Sequence, residues 1–232
     1  MTDVAFVLAL GDDALIAAQR LGEWSSRAPS IEEDIALANI ALDQLGVARL
    51  LLTYAGELEG QGRDEDALAY LRDDHEFTNV HLVELDNGDF AVTMAKLLFL
   101  SAYQKPLYDE LAASPDERLA GIAGKARKES AYHLDHSAQW TVRLGDGTEE
   151  SRRRMQAAVD RLWPYTYELF ETYDVRPQWT ATVEDVLARA TLERPADSQA
   201  PTGGRHGVHT EAMSYLLGEM QVLHRAHPGA RW

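Results

Sequence analysis

Apolar residues recur along this chain every three to four positions, the spacing of one face of an α-helix. One stripe reads Leu37, Ile40, Gln44, Val47, Leu51, Tyr54 and Leu58, and Gln44 is its one fully polar member. A second reads Leu119, Ala123, Ala126, Ser130, His133, Ser137, Trp140 and Leu144, with a small, polar middle. The period-two alternation of half-buried strands is weak throughout. No solenoid-type repeat or low-complexity tract interrupts the pattern, which predicts an all-α bundle of long helices forming a single domain over residues 1–232.

Punctuation residues set the expected boundaries. Ser30-Ile31-Glu32-Glu33 predicts a capping box opening a helix that runs to Gly60, roughly 45 Å long at 1.5 Å per residue. A short helix follows over 65–73. Asn87-Gly88 breaks the chain, and Asp89 caps a third long helix through about Ala113, which Pro106 kinks or divides. Ser114-Pro115-Asp116-Glu117 supplies an N-cap at Ser114, a proline at the first helical position and an acid at the third, opening a helix that stops at Leu144-Gly145. Further helices are expected over 149–172, interrupted at Pro164, over about 182–194 and over 210–226. Residues 193–209 form the one long irregular segment.

Charge and composition narrow the function. The chain holds 38 acidic against 22 basic residues, a net −16, and no cysteine. Such a surface repels nucleic acid and anionic membranes, and it favours solubility or docking to a basic partner. The missing cysteines exclude disulfides, thiolate nucleophiles and cysteine-based metal sites, and they fit a reducing cytoplasm. The start, MTDVAFVLALGDD, has no basic residue and too short an apolar run for a signal or membrane span.

The polar interruptions of the two stripes carry the chemistry. Gln44-Leu45-Gly46-Val47 and Ser130-Ala131-Tyr132-His133 stand where ferritin-like di-metal bundles place two Glu-x-x-His pairs, whose spacing of three sets both donors on one face. Here an amide, a valine and a hydroxyl replace three of the four donors. The first helix has no acid between Ala14 and Gly22, Asp12 and Asp13 being placed near its start and outside the core. The third has none from Phe90 to Tyr108, where its charges are Lys96 and Lys105, and the orientation of Lys96 stays open. Gln44, Val47, Ser130 and His133 are therefore read as degenerate positions: no metal, no bound cofactor, no catalytic residue. The alternative is a metal-dependent oxygenase with a degenerate site around Glu129, His133 and His136, although one helix seldom supplies the three donors a catalytic metal needs. Free-standing metal storage is disfavoured by the missing carboxylates.

Three other features have a bland reading and a sharper one. Thr202-Gly203-Gly204-Arg205-His206-Gly207-Val208-His209-Thr210 is rich in glycine and precedes a helix, but it lacks the ending of a phosphate loop. It is read as a structural loop that docks the last helix, ahead of a contact with a partner or its substrate. Trp24, Trp140, Trp163 and Trp179 suit either core or interface, with core the default for Trp140. Arg152-Arg153-Arg154 is read as a solvated helix face.

Several stretches together resemble a known family: residues 20–49 (RLGEWSSRAPSIEEDIALANIALDQLGVAR), 83–96 (VELDNGDFAVTMAK), 128–140 (KESAYHLDHSAQW), 202–211 (TGGRHGVHTE) and 228–232 (PGARW). They are similar to the C subunits of bacterial phenylacetyl-CoA epoxygenases, over essentially the whole chain. The resemblance implies a ferritin-like fold and a non-catalytic subunit that stabilises a homologous A subunit. In that family the A subunit holds the iron and binds phenylacetyl-CoA, a reductase delivers electrons, and the complex places one oxygen atom on the aromatic ring as a 1,2-epoxide. The A subunit has a second Glu at the position of Ser130 and an Asp-Glu-x-x-His where this chain has Asp43-Gln44-Leu45-Gly46-Val47. His133 is then a retained relic. The expected partners are that A subunit, the other subunits and the reductase, with no nucleic acid and no membrane. Self-association of the chain alone stays open.

Overall fold

The computed structural model describes residues 2–198 and 200–230, so Arg231 and Trp232 of the C-terminal PGARW motif lie outside the described residues. The described chain is helical with no strand. Its α-helices run in order: α1 Val4–Gly22, α2 Ile31–Glu59, α3 Glu65–Tyr70, α4 His81–Glu84, α5 Phe90–Leu111, α6 Glu117–Gly145, α7 Glu149–Leu162, α8 Arg176–Arg189 and α9 Glu211–Ala226. The architecture is all-α, a ferritin-like long-helix bundle with additional C-terminal helices.

The helices group into two compact units. The first takes the chain up to Asp86 and again from Thr202, and the second spans Asn87–Pro201. In the first, α1 packs along α2, while α3, α4 and α9 close around them. In the second, α5 packs along α6, with α7 and α8 against α5.

Local chemistry explains most boundaries. Ser30 accepts a hydrogen bond from the Glu33 N–H, and Gly60 ends α2 in the left-handed conformation that a residue with a Cβ adopts reluctantly. Asp89 caps α5 through the Val92 N–H. Pro106 sits inside α5 without dividing it. The N-cap of α6 is Asp116, which accepts from the Arg118 and Leu119 N–H groups, rather than Ser114; the Ser114 hydroxyl instead accepts from the Asp116 N–H. The shift follows from competition between two capping residues two positions apart, of which the carboxylate holds two free N–H groups. Pro164 does end α7, and a 3₁₀ segment Trp163–Glu171 follows. α8 starts at Arg176, six residues before the expected 182, because Pro177 is accommodated in its first turn.

In the second unit Trp163 and Trp179 are core residues. Trp163 and Trp179 are buried and pack with Phe99 at ring-centre distances of 5.4–5.8 Å, and the Trp179 indole N–H donates to the Phe99 carbonyl at 2.9 Å. Trp140 is half-buried and meets the edge of Phe90. Arg153 and Arg154 form exposed pairs with Glu150, as the solvated-face reading expects.

Candidate functional site

The two stripes are buried where their spacing predicts. Leu37, Ile40, Gln44, Val47, Leu51 and Tyr54 are all buried on α2, with Leu58 half-buried; Leu119, Ala123, Ala126, Ser130, His133 and Ser137 are buried on α6, with Trp140 and Leu144 half-buried. Gln44, Ser130 and His133 are each 2 % exposed and Val47 is 4 % exposed. Ser137 donates to the His133 carbonyl at 2.8 Å, and its hydroxyl lies 3.4 Å from that of Ser101 on α5. The α5–α6 seam is thus closed by small hydroxyl side chains that bond back to their own helices. Lys96 is buried and donates to the Asn87 side chain at 3.3 Å near the start of α5.

The Glu129, His133 and His136 set is weak as a ligand cluster. Glu129 is half-buried and pairs with Lys125 one turn away at 3.5 Å. Among the described residues, the one group of three potential ligands with donor atoms within 4.8 Å of one another is elsewhere: His81, Glu84 and His209.

That group belongs to a buried charge network that local reasoning missed. α1 begins at Val4, so Asp12 and Asp13 lie mid-helix, 0 % and 3 % exposed, and their placement outside the core is corrected. Asp12 is paired with Arg72 and accepts from the Thr78 N–H and hydroxyl at 2.9 and 3.0 Å. Asp13 holds Arg205 through two bonds of 2.9 and 2.7 Å and accepts from the Val80 N–H at 2.9 Å. Burial pushes the Asp13 carboxyl above its ordinary value, against the pull of the Arg205 guanidinium. The signal available in the sequence was an Asp-Asp pair inside an otherwise apolar run, residues 4–18; its partners lie 60 and 192 residues away.

Glu84 is the centre of the second half. Its carboxylate accepts from the Thr210 N–H at 2.6 Å, the Asn79 amide at 2.9 Å and His209 Nδ1 at 2.7 Å. His209 Nε2 faces the Phe77 carbonyl at 2.9 Å. Both ring nitrogens of His209 therefore face acceptors, and the geometry calls for the doubly protonated imidazolium. Burial opposes that charge, but Glu84 and the Phe77 carbonyl raise His209 above its ordinary value. Burial likewise opposes the Glu84 charge, while His209 and Thr210 hold its carboxyl below the usual range. His81 Nε2 donates to the Val208 carbonyl at 2.6 Å. All three side chains of the candidate metal group are thus engaged in hydrogen bonds that a cation would have to break. Their arrangement is a clamp.

The clamp fixes the 202–210 loop. Arg205, His209 and Thr210 reach back to Asp13 and Glu84, and Gly207 at φ +74° passes so close to the His75 carbonyl that a Cβ would lie 2.1 Å from its oxygen. Behind the loop, the Gln221 amide on α9 donates to the Ala69 and Arg72 carbonyls at 3.0 Å. The structural-loop reading of this motif holds: it docks the last helix.

Comparison with known proteins agrees with the full-length pattern. The phenylacetic acid catabolic protein family matches residues 1–232, and the chain belongs to that family. The chain is 45 % identical over 244 aligned residues, covering 98 % of each protein, to a protein of Escherichia coli (strain K12) named as the C subunit of 1,2-phenylacetyl-CoA epoxidase.

Proposed function

We propose that this chain is the non-catalytic structural subunit of a 1,2-phenylacetyl-CoA epoxidase complex of phenylacetate catabolism in the cytoplasm, where it binds and stabilises a homologous di-iron catalytic subunit. The observation that carries the reading is the 45 % identity across 98 % of both chains with a protein named as the C subunit of that epoxidase. The donor chemistry supports it. Gln44 and Ser130 are neutral, Val47 has no ligand atom, and His133 alone retains a metal-binding side chain among these four buried positions. These residues do not fit a pair of iron ions, which need several carboxylates. No reaction step is therefore assigned to this chain, and the iron belongs to the partner.

Four measurements test this. The purified chain, expressed in iron-supplemented medium, is expected to hold no stoichiometric iron, and alone it is expected not to turn over phenylacetyl-CoA with a competent reductase. Adding the catalytic homologue should restore turnover, and turnover should survive His133→Ala in a folded complex. A hundredfold fall there, about 2.7 kcal/mol of transition-state stabilisation, would make His133 a participant and overturn the reading.

A further inference from the structure

Helix α2 carries a second apolar stripe that the first unit does not bury. Ile31, Ile35, Ala38, Leu42 and Leu45 follow one another at steps of four, three, four and three, the heptad spacing of a helix that pairs with another helix. The large residues of this row are exposed: Ile31 by 77 %, Ile35 by 58 %, Leu42 by 63 % and Leu45 by 44 %. The stripe extends about 21 Å along the helix. It is separate from the buried stripe of Leu37, Gln44 and Val47, which makes α2 apolar on two faces. This explains why α2 is long and apolar enough to cross a membrane by composition, with a mean hydropathy of 1.5 over its most apolar window, of which 39 % is buried.

Beside the stripe runs a mostly apolar groove of about 400 Å³, walled by Ala38, Leu42 and Leu45 of α2, by Leu15 and Ala18 of α1, and by Met220 of α9. Scattered exposed apolar residues need no partner, but a contiguous row along one helix with a groove at its side does. The charges identify the kind of partner. The first turn of α2 holds Glu32, Glu33 and Asp34 and no base. The far end of the stripe has a single base, Arg49, already paired with Glu65 at 3.3 Å. Two copies of this chain joined α2 to α2 would set acid against acid in the parallel register. In the antiparallel register they would set three acids against one engaged base, with −16 on each chain. A partner helix with its own apolar stripe and basic residues at one end matches both the shape and the charge.

We propose that the exposed Ile31–Leu45 face of α2, with the groove beside it, is the docking surface for a helix of the homologous catalytic subunit, and that the end of that helix meeting Glu32 and Asp34 is basic. The inference rests on the function proposed above and adds the face that makes the contact. The absence of cysteine makes it testable with single introduced thiols. Leu42→Cys on this face and Ala181→Cys on the exposed side of α8 are each reacted with a maleimide, with and without the homologous catalytic subunit. In a complex that forms, labelling at position 42 should slow by at least about tenfold and labelling at 181 should not. The double variant Leu42→Lys with Leu45→Lys, at positions too exposed to disturb the fold, should keep its circular dichroism and melting temperature while binding about a hundredfold more weakly. Glu32→Gln with Asp34→Asn should weaken binding less and flatten its salt dependence. Undiminished labelling at position 42 in a complex that still forms overturns the docking face and leaves the proposed function standing. No complex with the wild-type chain overturns both. A self-dimer abolished by the lysine pair identifies a second copy as the occupant, and binding to phosphatidylglycerol or phosphatidylcholine vesicles abolished by that pair identifies a membrane; either result overturns the proposal.

Discussion

The middles of α2 and α6 and the seat of the 202–210 loop are all buried and polar, yet they treat charge in opposite ways. At Gln44, Val47 and Ser130 the chain offers an amide, an apolar side chain and a hydroxyl, with His133 as the fourth buried position. Around α1 it buries Asp12, Asp13 and Glu84 and answers them with Arg72, Arg205 and His209. An isolated carboxylate in a dry interior costs several kcal/mol, so burial is tolerated only where a partner of opposite charge is built in. The first set is neutral at every one of these positions apart from a histidine. The second keeps its charges because each is a tether between distant segments. The buried acids around α1 thus mark architecture, and Gln44, Val47, Ser130 and His133, which have the spacing of a metal site, carry none.

The largest expected effect tests the tether. Arg205→Met leaves Asp13 buried without its guanidinium and should cost about 3–5 kcal/mol in urea unfolding. Combining it with Asp13→Leu should recover most of that loss, since replacing both members of a buried pair is far cheaper than orphaning one. A loss under about 1 kcal/mol for the single variant would show that the loop is not held by this pair.

A smaller effect tests the neutral positions. Gln44→Glu places a carboxyl at a position 2 % exposed and should destabilise by about 2–4 kcal/mol, with that carboxyl's pKa raised by burial. Gln44→Leu should stay within about 1 kcal/mol of wild type, because a buried amide contributes little net once its partners are neutral. If the acid is tolerated better than the leucine, a cation or a mobile base reaches α2 there.

The smallest effect concerns pH. His209 is raised above its ordinary 6.5, so its contribution is fully present below that value and disappears as pH rises through the folded value. Glu84 is lowered below its ordinary 4.5, so its contribution is present above that value and disappears as pH falls through the folded value. The stability difference between wild type and His209→Gln should therefore be largest at about pH 5–6.5 and shrink as pH rises above that window. A difference that is constant across this range would mean His209 is held as the neutral ring.

The sequence by itself determined the class of fold, the length of α2 and α6, and the neutrality of Gln44, Val47 and Ser130. These follow from periodicity, capping and side-chain chemistry, all of which act within a few turns of one helix. It also located the 202–210 loop as a docking element, from its glycines and its place before α9. Only the tertiary structure decided that Asp12 and Asp13 are interior, since that depends on Arg72 and Arg205, which no local pattern links to them. The same holds for Glu84, whose histidine partner arrives 125 residues later. The second face of α2 shows the division most sharply. Its heptad is written in the sequence, but the sequence does not say which of two apolar stripes a helix will bury. Packing decided that: α1 lies along α2, the Leu37–Tyr54 side is buried, and Ile31, Ile35, Leu42 and Leu45 are left in solvent.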